Sequence, residues 1–128
     1  MPGIDACLHE IMALPGARGA AIVDWTSGLA LGTAGESPDG DHGTTATETA
    51  ELARAAAEYP AFASGAEQLG PEVEDLIVTT RTGYHILRFV ETAFDSSVFL
   101  HLWLDRATGN LALARLRLRQ LAERLVLA

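Results

Sequence analysis

Three β-rich runs follow one another between residues 72 and 105 with only short gaps between them, and a chain written this way is committed to an antiparallel meander. The runs cover 73–80, 84–90 and 98–105. Arg81, Thr82 and Gly83 join the first two as a hairpin loop whose glycine can take positive φ, and the second connection is looser. Successive side chains of a strand point to opposite faces. In the third run Val98, Leu100, Leu102 and Leu104 therefore share one face, and Phe99, His101 and Trp103 the other. A strand apolar on both faces must be covered twice, which places it in the middle of a sheet. The first run mixes Glu74, Asp75, Thr79 and Thr80 with Leu76, Ile77 and Val78 and reads as an edge, and an unpaired edge invites a partner strand.

Around this meander the chain alternates helix and strand. Ile4, Cys7, Leu8, Ile11 and Leu14 form the stripe of a short amphipathic helix that Pro15 and Gly16 close. Residues 19–25 read as a buried strand and 29–33 as its hairpin partner across Thr26, Ser27 and Gly28. Residues 35–43 contain turn formers and nothing apolar, as a mobile loop would. Asp39 and Asp41 flank Gly40, but the further ligands and closing glutamate of a calcium loop are missing. Residues 44–59 read as a helix with Glu48, Glu51, Arg54 and Glu58 on one face. Its other face carries Ala46, Ala50, Leu52, Ala53, Ala56, Ala57 and Tyr59, small enough for another element to approach closely. Pro60 breaks or kinks it, and 61–70 is either a helical extension or an irregular return. The last helix buries Leu111, Ala114, Leu118, Leu121, Ala122 and Leu125, with Arg115, Arg117, Arg119 and Arg124 outside that stripe. Leu113, Leu116 and Leu127 fall on the opposite side, either exposed or forming a second contact surface. The order α-β-β-α-β-β-β-α implies an α+β sandwich, a five-stranded antiparallel sheet with helices on both faces.

Composition narrows the functions open to such a fold. The 128 residues suit a single domain spanning 1–128, large enough to bury roughly two thirds of its unfolded surface without staples. Lacking an export signal or an apolar run of about 18 residues, it is expected to be cytoplasmic and not inserted in a membrane. The single Cys7 lies on a helix stripe and reads as a buried structural thiol. A net charge of −8 argues against nucleic acid and anionic membrane as main partners. Residues 36–75 carry ten acidic side chains and one arginine, whereas 76–128 carry seven arginines and four acidic side chains. That asymmetry belongs either to solvated helix faces or to docking with a partner of complementary field. All nine basic residues are arginine, which removes P-loop lysines, Schiff bases and lysine general bases at a stroke.

Three stretches together resemble the Roadblock/dynein light chain family over nearly the whole chain. They are GARGAAIVDWTSGLAL, then VEDLIVTT leading into GYHILRFV, then VFLHLWLDRATGNLALARLRLRQLAERL. These are packing and turn patterns rather than catalytic signatures. The resemblance implies a roadblock/profilin-like sandwich that forms a homodimer. In it, the edge strand pairs with its own copy, and the middle helix packs on its two-fold mate, burying about 1,200 to 2,000 Å² in total. Carried onto this chain, that interface would use Ala46, Ala50, Ala53, Arg54 and Ala57 of the helix and Val73, Asp75, Ile77 and Thr79 of the strand. It also implies a bacterial regulator or scaffold of a small Ras-like GTPase, with no catalytic residue and no cofactor of its own. Glu51, Glu58, Leu113 and Leu116 are the candidate partner contacts.

The search for chemistry supports that reading. His9, His42, His85 and His101 are scattered, with no metal-binding spacing among them. His85 and His101 can approach across adjacent strands, but their parity with Leu87, Phe89, Phe99 and Trp103 favours core histidines over ligands. Neither a nucleophile elbow nor a phosphate-binding glycine loop is present. Arg54 and the Arg115–Arg119 group are available as arginine fingers but read as surface arginines. The alternative is a small-ligand sensor, which an enclosed pocket near Trp103 or Tyr59 would favour.

Overall fold

The computed structural model describes residues 3–62, 72–90 and 97–125. Its elements are α1 (Ile4–Met12), β1 (Ala17–Asp24), β2 (Leu29–Gly35), α2 (His42–Glu58), β3 (Asp75–Thr79), β4 (Gly83–Phe89), β5 (Val98–Asp105) and α3 (Leu111–Arg124). This is the expected order. All strands are antiparallel neighbours in the sequence β2-β1-β5-β4-β3, so the doubly apolar β5 is central and β3 is an edge.

The two parities of β5 build two cores. Leu100, Leu102 and Leu104, with Ala20, Ile22 and Ile86, pack under α1 and α3 through Leu8, Ile11, Leu118 and Leu121. On the other side Phe99, Leu87 and Phe89, with Ala21 and Val23, pack under α2 through Ala46, Ala50, Ala53 and Ala56. Thirteen of these side chains, Leu100 and Phe99 among them, are completely inaccessible to solvent. Alanine suits the second seam because α2 lies close over β1 and β2, where a larger residue has no room.

Local chemistry sets the joins. Gly16, at φ +82°, turns α1 into β1 so tightly that a Cβ there would lie 2.6 Å from the Gly109 backbone. Asn110 caps α3 by accepting from the Leu113 amide at 3.0 Å, and Asp41 caps α2 by accepting from the Gly43 amide at 3.0 Å. Residues 35–43, expected to be mobile, are bonded instead. The Asp39 carboxylate accepts from the Ser37 hydroxyl at 2.9 Å and the Thr45 hydroxyl at 2.7 Å, and His42 bonds the Gly35 carbonyl at 3.0 Å. Polar side chains that look disordered in sequence here bond one another and the loop backbone, and Asp41 satisfies an orphan amide of the helix start. The strand expected from residue 73 begins at Asp75, and most of 61–70 and Leu127 lie outside the described residues.

Candidate interaction site

The free border of β3 presents backbone that nothing among the described residues satisfies. The Thr80 amide donates to the Gly83 carbonyl at 2.8 Å and the Phe89 amide to the Glu74 carbonyl at 3.0 Å. Register pairs Leu76 with Leu87 and Val78 with His85, and antiparallel ladders alternate bonded and non-bonded pairs. Residues 74, 76, 78 and 80 thus bond inward to β4. Asp75, Ile77 and Thr79 turn their N–H and C=O groups outward, toward solvent.

Edges are usually guarded by charge, proline or a bulge. Within β3 this border has neither a proline nor a bulge. Its one charged side chain, Asp75, is only 14% exposed and is gripped by Arg115 of α3 through two bonds, Nε at 2.9 Å and an NH2 nitrogen at 3.3 Å. The opposite edge is guarded, because the β1–β2 register slips by one residue and leaves Leu31 as a bulge. Of the two borders, β3 is the one without a bulge.

Beside it the α2 side of the sheet is only half covered. Arg54 reaches the Trp25 carbonyl at 2.8 Å, which turns its flank of α2 toward the β1–β2 hairpin. Leu52, about 160° around the helix from Arg54, and Tyr59, just past the end of α2, lie away from the alanine stripe that meets the sheet. They are 42% and 61% exposed, and Phe62 is 54%. On the neighbouring strands Leu76, Val78, His85 and Trp103 line an open strip on the same side of the sheet.

At the heart of that strip His85 Nδ1 and His101 Nε2 lie 3.0 Å apart. The His85 ring stacks between His101 at 5.3 Å and Trp103 at 6.1 Å, and the Arg18 guanidinium covers Trp103 at 3.9 Å. Burial pushes His101 down to about 3, with smaller contributions from His85 and His42, so its imidazole is neutral at physiological pH. Burial also lowers half-exposed His85 from its ordinary 6.5. The bond between the rings is then neutral, one N–H donating to one ring nitrogen. Among the described residues no group of three or more His, Cys, Asp or Glu is arranged to hold a metal ion.

The structure redistributes the residues expected at the interface. Ala46, Ala50 and Ala53 are at most 2% exposed, spent on the chain's own sheet, and cannot meet a second copy. Ala57 is partly buried against the same core. Arg54 points to the hairpin rather than outward. Val73 packs beside Leu76, while Ile77 and Thr79 sit on the border with their outer backbone groups free. Leu52 and Tyr59, assigned in sequence to the alanine face, belong to another flank. The stripe 46, 50, 53, 57 is complete without them, and that separation was visible in helical spacing. Glu51 and Glu58 are exposed on α2, and Leu113 and Leu116, 37% and 50% exposed, are on α3. These two pairs lie on opposite sides of the sheet, so one contact cannot include both. A groove of about 350 Å³ runs between α1 and α3, lined by Glu10, Arg117, Gln120, Glu123 and Arg124. Arg117 and Arg124 are both paired to Glu10, at 3.8 and 3.5 Å, unlike the apolar lining of a metabolite pocket.

No family model and no curated protein matches the sequence. Solved structures do. MglB of Myxococcus xanthus aligns with a TM-score of 0.75 at 20% identity, covering 94% of this chain and 82% of that one. A Roadblock/LC7 domain from Streptomyces avermitilis aligns at 0.64 and 18%, covering 96% and 94%. MglC of Myxococcus xanthus aligns at 0.59 and 21%, covering 94% of each chain. Element order, sheet order and these superpositions agree, and the chain has the Roadblock/LC7 fold.

Proposed function

We propose that this chain acts as a homodimer, pairing two β3 strands into one continuous ten-stranded sheet, and serves as a non-catalytic regulator or scaffold of a small Ras-like GTPase in the bacterial cytoplasm. The observation that carries the reading is the unguarded β3 border, whose outward groups at Asp75, Ile77 and Thr79 match those of a two-fold copy centred on Ile77. The similarity to MglB and MglC in fold, together with the Roadblock resemblance of the sequence, supports the GTPase assignment.

The acidic ridge Glu48, Glu51 and Glu58 of α2 is the partner-facing surface in this proposal, and it takes a GTPase surface rich in arginine and lysine. Leu113 and Leu116 form a separate strip on α3. No helix among the described residues is long and apolar enough to cross a membrane. The test is to mix the protein with small Ras-like GTPases from its own source in both nucleotide states and measure co-migration and hydrolysis. Binding in at least one state, weakened by salt and by Glu51→Arg with Glu58→Arg, supports the reading. No binding in either state across several such GTPases removes it.

A further inference from the structure

Asp75, Ile77 and Thr79 are the residues of β3 that can bond a second strand, and the way Asp75 is held decides what that strand must offer. Two copies pairing antiparallel across this border set outward-bonding residues opposite each other, so one copy slips along the other only in steps of two residues. With the two-fold at Ile77, Asp75, Ile77 and Thr79 meet Thr79, Ile77 and Asp75 of the second copy, and every outward group finds a partner. A slip one way moves the axis to Leu76, sets Asp75 against Ile77 and leaves Thr79 beyond the end of the opposite strand. A slip the other way moves it to Val78 and sets Asp75 against Arg81, in the hairpin loop where the strand has ended. Full bonding belongs to the Ile77 register.

We propose that Asp75 of one copy and Thr79 of the other form a cross-strand pair at each end of the seam, and that Arg115 is the positioning residue that holds Asp75 for it. The inference rests on the homodimer proposed above and names the side chains that select the second strand. Residues 75, 77 and 79 share the face on which Ile77 meets the core under α1 and α3, and directly opposite side chains on one face lie within contact. The Asp75 side chain is 14% exposed, and Arg115 reaches it from α3 with Nε 2.9 Å from Oδ2 and an NH2 nitrogen 3.3 Å from Oδ1. Each carboxylate oxygen keeps a further lone pair. Arg88 stands directly across from Asp75 on β4, 15% exposed and 3.9 Å from Glu74, and adds a second guanidinium to that face. The seam thus receives a carboxylate whose charge is answered from its own chain and whose oxygens still accept. Thr79 is exposed, and its hydroxyl makes no hydrogen bond among the described residues, so it is free to donate. A strand with an aliphatic residue at that place leaves a covered carboxylate oxygen short of a donor, and one with an acidic residue sets like charges face to face.

Leu76→Cys and Val78→Cys, made as separate variants, read the register, because these positions face each other across an Ile77-centred seam as a non-bonded pair about 4.5 Å apart at Cα, within disulfide reach. Mixed and mildly oxidised, the two variants are expected to cross-link with each other and neither with itself; Cys7 is buried and supplies no background. Sedimentation then gives the dimer dissociation constant. Thr79→Glu is expected to raise it roughly tenfold, since two like-charged pairs form per dimer, and Thr79→Ser to leave it nearly unchanged. Adding Asp75→Ala is expected to remove the Thr79→Glu penalty. Arg115→Met is expected to weaken the dimer while Asp75 is present and to have no effect on it in Asp75→Ala, a split that mere support of α3 would not produce. No cross-link in the mixture, self-cross-linking of either cysteine variant, a Thr79→Glu penalty that survives Asp75→Ala, or an Arg115→Met effect equal in both backgrounds overturns the pair while leaving the dimer intact. A parent that stays monomeric at every concentration overturns the homodimer, and the pair with it.

Discussion

A proline scan of two adjacent positions on β3 separates the strand's two sets of backbone groups. Val78 bonds inward to His85 and Ile77 points outward. Val78→Pro deletes an N–H of the internal ladder, a net loss of about 1 kcal/mol. It also leaves a carbonyl of β4 unpaired in a part-buried strand, costing about 1 to 3 kcal/mol more. Roughly 2 to 4 kcal/mol is a large share of the 5 to 15 kcal/mol typical of a domain. With a slope of about 2 kcal/mol per molar urea, the unfolding midpoint should fall by roughly 1 to 2 M. Ile77→Pro deletes only an outward N–H that no described residue accepts. Its monomer loses part of one half-buried side chain, about 1 kcal/mol. Two facing prolines at the seam nevertheless forbid strand pairing. Urea unfolding by circular dichroism gives the stability of each variant, and light scattering gives its mass. Ile77→Pro should be folded and monomeric, and Val78→Pro should be the less stable protein. A dimeric Ile77→Pro, or equal destabilisation of the two, would refute the assignment of inward and outward groups.

Further expectations follow from other contacts. Asn110→Ala removes the α3 cap and should cost about 1 kcal/mol, read by thermal unfolding. Gly109→Ala places a Cβ 2.5 Å from the Asp105 carbonyl and Leu104 Cγ, and should lower the melting temperature more than the cap variant does. Acid should destabilise the monomeric Ile77→Pro protein as pH falls from 6.5, where unfolded His101 takes up a proton, to about 3, where the folded one does; His101→Gln should flatten that slope. Leu116→Ser on the exposed side of α3 should leave stability within about 0.5 kcal/mol of the parent.

Elements announced by periodicity were legible, and those decided by burial between elements were not. Both parities of β5 are apolar, and this alone places it centrally and requires a helical layer on each side. The mixed character of 73–80 likewise marks the edge. What periodicity leaves open is which neighbour claims a face. The alanines of α2 looked available to another chain, yet the small side chains Ala21 and Ala30 of β1 and β2 bring that helix down on its own sheet and bury them. The polar run 35–43 read as loose because its bonds are made between side chains up to eight residues apart, as between Ser37 and Thr45 at 2.7 Å. The contact of His85 with His101 was open to sequence as a diagonal pair on adjacent strands. Its half-open setting depends on where α2 stops covering the sheet, which no local pattern encodes.

Amide hydrogen exchange at β3, followed against protein concentration, tests the pairing of two copies most directly. If β3 strands pair, the Ile77 amide exchanges fast in dilute protein and becomes protected as dimer accumulates, while the Val78 amide is protected throughout. An Ile77 amide that exchanges at the rate of a free peptide, at concentrations where scattering reports a dimer, would place the contact elsewhere.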